Sequence, residues 1–389
     1  MGAYEGPTNF LNVGAAPSLM LNFAREKSLE DQISGKDLIT FLRSSVGTYV
    51  GADGLIKTAA ADEPRFDHDP VTGESLGLLI EEQRTNLYDN TTNFGSSNWA
   101  LQTSPEVTLN TTDVLSPDGT FNAVKWTPTT TLSQYVYDQV GNLGSSLTYT
   151  MSVWVRTPSG ESTTFQMNLF SPTQLSPVFT ATDTWKRFTW TFTPQSQSTA
   201  YPVIVRELNK SLYIWGPQIE VGSFATSYIP TDAFAVTRQP DIAQITGTNF
   251  TDWYNATEGT IYCSAIGREA DDYYWSISNN TTSTLLLSQT NFDLFVNNGG
   301  STQAAINTGT TANIQTKVAS AYKANNFAAV KNNQTLGTDT SGSIPTVDRL
   351  RLGTHGNGTN ELNGHLKQLI YYPARISDIK LQQMTKVFS

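Results

Sequence analysis

Cysteine is almost absent from this 389-residue chain, and the single thiol, Cys263, excludes an intrachain disulfide framework and any all-cysteine metal site. Charge is scarce too. Only 15% of residues are Asp, Glu, Lys or Arg, against roughly 25% in an average globular protein. The 34 acidic and 24 basic side chains leave a net charge of −10 and a pI near 4.8. Clustered Lys and Arg, needed to displace counterions from a nucleic acid, are missing, so no nucleic-acid partner is expected. Long apolar runs are also missing. Leu76–Ile80 and Leu285–Leu287 fall far short of the roughly 20 residues of a membrane helix, and no membrane insertion is expected. The opening MGAYEGPTNF has neither a basic nor an apolar stretch, and Gly2 lacks the downstream Ser or Thr of a myristoylation signal. Synthesis and folding in a cytoplasm are therefore expected.

What the chain does have is Thr, Ser and Asn in nearly every loop, and 11% aromatic residues with 8 Trp. So many large rings demand a packed core or a binding surface. The dominant local pattern is two-residue alternation. Phe188, Trp190 and Phe192 share one face against Thr189, Thr191 and Thr193. Tyr149, Met151, Val153 and Val155 oppose Thr150, Ser152, Trp154 and Arg156 in the same way. That is the signature of half-buried antiparallel strands.

Further strands are expected at Ala123–Trp126, Gln134–Tyr137, Thr164–Leu169, Val203–Arg206 and Leu212–Trp215. A second β-rich series starts after Arg238-Gln239-Pro240 and runs from Gly259–Ile266 to Gly364–Tyr372. Asp53-Gly54, Asn297–Gly300 and Lys331–Asn333 read as hairpin turns, where left-handed backbone angles favour Asn and Gly. A short helix is expected over Ser377–Lys386, with Ser377 as N-cap and Ile379, Leu381 and Met384 towards the core. The expected fold class is all-β, with two tandem β-sandwich (jelly-roll) domains behind a small β-rich N-terminal module. The boundaries fall at 1–86, 87–238 and 239–389.

Several stretches resemble virion structural proteins of marine and cyanobacterial bacteriophages. They are Pro17–Phe23, Phe41–Val50, Gly54–Lys57, Glu63–Pro70 and Gly77–Leu87. Phe41-Leu-Arg-Ser-Ser45 departs from the family's usual Phe-Thr-Arg-Ala-Ser. Ile214–Pro230 is similar to the closing strand of a carbohydrate-binding-module-like jelly roll. Glu258–Lys323 with Arg349–Gly353 and Tyr371–Asp378 is similar to a laminin-G or concanavalin-A-like sandwich. The resemblance implies that 1–86 attaches to the particle and that the two sandwiches form a fibre, head-fibre or decoration protein on the virion surface. It also implies other virion proteins as partners and a homo-oligomer, a trimer being favoured because three chains share the axis of a thin projection.

Each cluster of chemistry-bearing residues also has a plain structural role open to it. Asp67-His68-Asp69 has the residue types to ligate a metal through one His and two carboxylates, but neighbours on a strand point to opposite faces, and a solvated turn before Pro70 is expected instead. Glu81-Glu82 cannot be assumed to face each other across a sugar as a glycosidase requires, and a salt bridge to Arg65 or Arg84 is expected instead. Cys263 reads as a core thiol. No nucleophile elbow, dinucleotide turn or phosphate loop occurs, so His355 and His365 find no catalytic frame and no enzyme is expected. Asn-x-Ser/Thr triplets, as at Asn90 and Asn280, follow from the Asn/Thr-rich composition.

The remaining candidates bind sugar, whose apolar face stacks on aromatic rings while amides and carboxylates take the hydroxyls. They are Tyr273, Tyr274 and Trp275 with the adjoining Asp271 and Asp272, and Trp99, Trp126, Tyr135 and Tyr137 in the central domain. Asp271 and Asp272 are also candidate ligands of a calcium ion, the one cofactor considered. The function expected is a non-enzymatic virion-surface adhesin presenting sandwich loops to a host-surface glycan. The alternatives are a capsid or neck decoration protein without host contact, and a polysaccharide-degrading tail protein.

Overall fold

The computed structural model describes residues 13–95, 99–101, 107–129, 135–138, 140, 143–170, 173–195, 199–205, 207–269, 271–309 and 313–386; the side chains of Ala100, Leu101, Tyr135–Asp138 and Val205 are outside this description. The fold is nearly all β, as the alternation requires. It divides into two compact units: Met1–Ser44, Ala60–Glu82 and Pro240–Ser389 form the first, and Ser45–Ala59 with Gln83–Gln239 the second.

The first unit is a sandwich of an eight-stranded and a seven-stranded sheet. Glu258–Ile266 lies centrally in the larger sheet between Thr316–Lys323 and Gly364–Tyr372, antiparallel to both. The smaller sheet runs Ser301–Ile306, Leu294–Asn298, Leu285–Gln289, Tyr273–Ser278, Arg349–Leu352, Ile242–Thr246, Thr40–Leu42. Cys263, Tyr274, Trp275, Leu350, Leu352 and Tyr371 belong to the core between the sheets. Cys263 is fully buried and unpaired in a disulfide, and burial pushes its thiol well above the usual range. The hairpin at Asn297–Gly300 takes the form its residues favour, with positive φ at Gly299 and Gly300 and Asn298 paired with Ser301.

The 1–86 stretch, expected as a module of its own, is distributed over both units. Leu19–Leu21 and Ser75–Ile80 pair with successive stretches of one edge of Gly364–Tyr372, the edge opposite Glu258–Ile266, and Thr40–Leu42 closes the smaller sheet against Ile242–Thr246. Leu19, Leu21, Leu78 and Ile80 are fully buried. Short apolar strands cannot bury both faces by themselves, and the later sandwich supplies the missing layer. A buried charge cluster ties these segments together. Arg65 Nη1 donates to Glu81 Oε2 at 2.8 Å, its Nη2 donates to Asp241 Oδ2, and Arg43 Nη1 donates to Asp241 Oδ1 at 3.0 Å. The Arg65–Glu81 pair is the structural salt bridge expected at Glu81. Asp67 and His68, expected in a turn, lie instead on strand Phe66–His68, which pairs with Ser75–Ile80; Asp67 takes a hydrogen bond with His365 Nε2 at 2.8 Å, while Asp69 accepts from the amides of Val71 and Thr72 in the turn that follows.

The second unit is also a sandwich, of a six-stranded and a five-stranded sheet. The two expected alternating strands are there: Tyr149–Arg156 pairs with Lys186–Phe192 and with Leu212–Val221. Tyr149, Met151, Val153, Val155, Phe188 and Phe192 are buried core residues, with Trp190 packed against them. The hairpin Gly47–Val50/Ile56–Ala59 belongs to this unit, and Thr48 Oγ1 donates to the carbonyl of Tyr228.

The C-terminal helix is Asp378–Met384, preceded by Ser377 at the N-cap position without a side-chain capping bond. Leu381 and Met384 join an apolar layer on the outer face of the eight-stranded sheet. Ile379, expected alongside them, is 69% exposed. Two residues along a helix is a rotation of about 200°, which carries Ile379 to the opposite side from Leu381.

Candidate functional site

Tyr273, Tyr274 and Trp275 do not form one cluster. The register of strand Tyr273–Ser278 shifts between Tyr273 and Trp275 where it meets Leu285–Gln289. A bulge of this kind interrupts the alternation and re-aims side chains. Tyr274 and Trp275 both enter the core, each with no exposed surface, and cannot stack on a sugar. Tyr273 stays half-buried at the surface.

Around Tyr273 the loop after Gly353 folds back over the sheet. Gly353 N donates to Tyr274 O at 3.0 Å, and Leu362 N closes the loop on Gly353 O at 2.8 Å. Ser276 and Ser278, fully buried, donate from their hydroxyls to Thr354 O and Gly356 O at 2.8 and 2.7 Å. These bonds hold the loop flat against the strand. Its half-buried His355 ring meets Tyr273 edge-to-face, with centroids 4.9 Å apart. Asn357 Oδ1 binds His355 Nδ1 at 2.9 Å and accepts from Thr359 Oγ1 at 2.8 Å. Burial and the nearby Asp271 raise the Tyr273 hydroxyl pKa, against a lowering hydrogen bond with Asn360. Asn357, Asn360 and Asp271 are exposed. The result is a surface ledge of two rings edged by amides and a carboxylate.

The neighbouring acidic pair is split as well. Asp271, at φ 76°, is exposed and accepts from Asn291 Nδ2. Asp272 turns inward, 5% exposed, and its Oδ2 accepts from the amides of Arg268 and Glu269 at 2.7 and 2.8 Å. Desolvation pushes its pKa up to about 7 despite these two bonds, with Glu269 and Glu82 adding to the rise. One carboxylate is outside and the other is engaged with its own loop, so the two do not converge on an ion. Among the described residues no group of three or more His, Cys, Asp or Glu side chains is placed to hold a metal.

The central-domain candidates fare differently. Trp126 is fully buried in the core. Trp99 is 5% exposed, packs on Tyr88 and Phe94, and donates its indole N–H to the carbonyls of Asp89 and Asn90. Both are walled in by side chains that leave no face for a sugar. Tyr135 lies on strand Tyr135–Asp138 with Tyr137, and both side chains are outside the described residues.

Two features escaped the sequence reading. On the outer face of the five-stranded sheet, Trp215 and Tyr228 are nearly buried, and Trp154, Trp185 and Ile56 pack around them as a satellite core. The Arg187 guanidinium covers the Trp154 ring at 4.4 Å. The alternation that puts Trp154 opposite the main core pointed to this face, but not to the hairpin residue that seals it. The second is Arg351, on the outer face of the smaller sheet of the first unit, because its neighbours Leu350 and Leu352 both point into the core. The Leu-Arg-Leu alternation at 350–352 was the available signal. An open recess of about 490 Å³ lined by Asn307, Thr308, Gln334, Thr335, Leu336 and Gly337 has neither a ring nor a titratable group in its wall.

No protein-family model matches the chain, and no curated protein sequence matches it. Solved structures with local likeness include the CBM40 module of the Ruminococcus gnavus IT-sialidase bound to α2,3-sialyllactose. It is 17% identical, covers 36% of this chain and 88% of that one, and has a TM-score of 0.31. The CBM22-1 xylan-binding domain of Paenibacillus barcinonensis Xyn10C is 13% identical, with coverage of 36% and 94% and a TM-score of 0.28. Domain 4 of the Geobacillus stearothermophilus arabinanase AbnA, in complex with arabinotriose, is 8% identical, with coverage of 42% and 82% and a TM-score of 0.29. Likenesses at this level carry no weight for fold or ligand, and the sandwich architecture rests on the sheets described above.

Proposed function

We propose that this chain is a non-enzymatic glycan-binding protein of a bacteriophage surface, in which the ledge around Tyr273 receives the sugar. The observation that carries the reading is the ledge itself. Among the aromatic candidates with described side chains, Tyr273 alone keeps ring surface towards solvent. It stands beside His355, Asn360 and Asp271, a set able to take a sugar's apolar face and its hydroxyls together. The virion setting, particle attachment through the N-terminal stretch and a homotrimer near three times 42.6 kDa come from the resemblance of segments such as Phe41–Val50 and Gly77–Leu87.

The test is binding of the purified full chain to an array of bacterial surface polysaccharides, with Tyr273→Ala beside the native protein. Loss of one stacking ring is expected to weaken binding about tenfold, a free-energy change on the order of 1.4 kcal/mol, without altering the circular-dichroism spectrum. Binding left unchanged by Tyr273→Ala removes the ledge from the reading. Release of reducing ends from a bound polysaccharide would replace the adhesin with a depolymerase. Absence of the chain from purified particles would overturn the virion setting.

A further inference from the structure

The outer face of the smaller sheet in the first unit holds a cation that no carboxylate among the described residues pairs with. Arg351 is only 8% exposed. Its Nη2 donates to Asn280 Oδ1 at 2.6 Å, and its buried Nε has no hydrogen-bond partner. The nearest acidic side chain along the strand, Asp348, is engaged with Arg349 at 2.8 Å. Other buried cations of this unit are answered by carboxylates: Arg43 and Arg65 by Asp241, and Lys331 by Asp293 at 2.8 Å. Burial lowers the Arg351 pKa, with the adjacent Arg349 adding to the effect. A desolvated guanidinium left without an anion is costly, and native structures rarely keep one without a use.

Its neighbours on that face are acceptors that also lack donors. Gln244 is the cross-strand partner of Arg351 on one side and Ser276 on the other; Gln289 is the partner of Tyr273. The side-chain oxygens of Gln244 and Gln289 are buried and accept no hydrogen bond. Tyr273 lies three residues from Ser276 along its strand, roughly 10 Å, and the same loop serves both ends. His355 touches Tyr273, while Gly358 runs so close to Arg351 that a Cβ there would lie 2.9 Å from Nη1. Ring, amide acceptors and guanidinium thus share one sheet face, and one loop touches both the ring and the guanidinium.

We propose that this face selects an acidic glycan, whose carboxylate or sulfate group is bound by Arg351. The inference rests on the glycan-binding reading and narrows its ligand class. Guanidinium hydrogen bonds to an oxyanion are charge-assisted and discriminate strongly against a neutral replacement.

The experiment compares matched probes on the native full chain. Immobilised uronic-acid polysaccharides are set against their carboxyl-reduced forms, and sulfated polysaccharides against their desulfated forms. Acidic members are expected to bind about tenfold or more tightly than their neutral counterparts, and Arg351→Gln is expected to abolish that difference while leaving residual neutral binding. The uronate and sulfate arms distinguish the two sources of the anion. Equal binding of acidic and neutral members would overturn the inference and leave the glycan-binding reading intact. Absence of binding to every probe would overturn both. The native-protein comparison is decisive even where Arg351→Gln fails to fold, and an unchanged acidic preference in a folded Arg351→Gln protein would also overturn the proposal.

Discussion

Asp272 sets two effects against each other within one carboxyl. Two backbone amides donate to it, which favours the charged form, and burial beside Glu269 and Glu82 favours the neutral one. Burial prevails, and the folded-state pKa rises to about 7 from the roughly 3.9 of an unfolded Asp. The native state then holds a proton that the unfolded chain has released. Stability therefore falls as pH rises from about 4 to about 7, by at most about 1.4 kcal/mol per pH unit, and is level on either side of that window as far as this group is concerned. Asp272→Asn cannot ionise and keeps an acceptor for the amides. Urea unfolding of both proteins at several pH values is expected to show the native slope flattened in the variant; parallel curves would refute the assignment. The acidic character of the 271–272 turn was legible in the sequence. Which of the two carboxyls is buried was not, because one positive φ at Asp271 decides it.

The same limit holds for whole elements. Alternation located most strands of both sandwiches to within a few residues, because a half-buried strand writes its two faces into successive positions. It failed at Tyr274 and Trp275, since a bulge changes the facing of residues without leaving a mark in their identities. The C-terminal helix gives a sharper test of facing. Leu381 is fully buried against the outer face of the larger sheet, with Tyr262, Ala328, Val330 and Tyr372 in the same layer, whereas Ile379 is exposed. Leu381→Ala is expected to cost about 2–4 kcal/mol, counting the lost apolar contact and the cavity left behind. Ile379→Ala should stay within about 0.5 kcal/mol. Midpoints of chemical denaturation separate the two, and comparable losses would mean that the helix sits in another rotation.

At the scale of the molecule, linear boundaries drawn at Arg238-Gln239-Pro240 captured the start of one sandwich but not its full membership. Composition marks where the texture of a chain changes, while sheet pairing between residues hundreds of positions apart leaves no local trace. Leu19–Leu21, Thr40–Leu42 and Ser75–Ile80 complete sheets whose other strands lie beyond residue 240. Leu19, Leu21, Phe23, Phe41, Leu78 and Ile80 all belong to that sandwich's core. Each such side chain contributes about 1.5–3 kcal/mol on burial, and together they rival the whole of a domain's net stability, about 5–15 kcal/mol. Their removal also strips Asp241 of Arg43 and Arg65, and a buried charge left without its partner costs about 3–5 kcal/mol. The segment 239–389 expressed alone should therefore lack cooperative thermal unfolding and bind a hydrophobic dye, although it reads as a complete sandwich in sequence. Co-expression with 1–86 is expected to restore a cooperative transition, because those residues carry the missing strands and both arginines. A sharp transition in 239–389 by itself would show that the N-terminal strands are accessories to that fold, and the expected dependence would be lost.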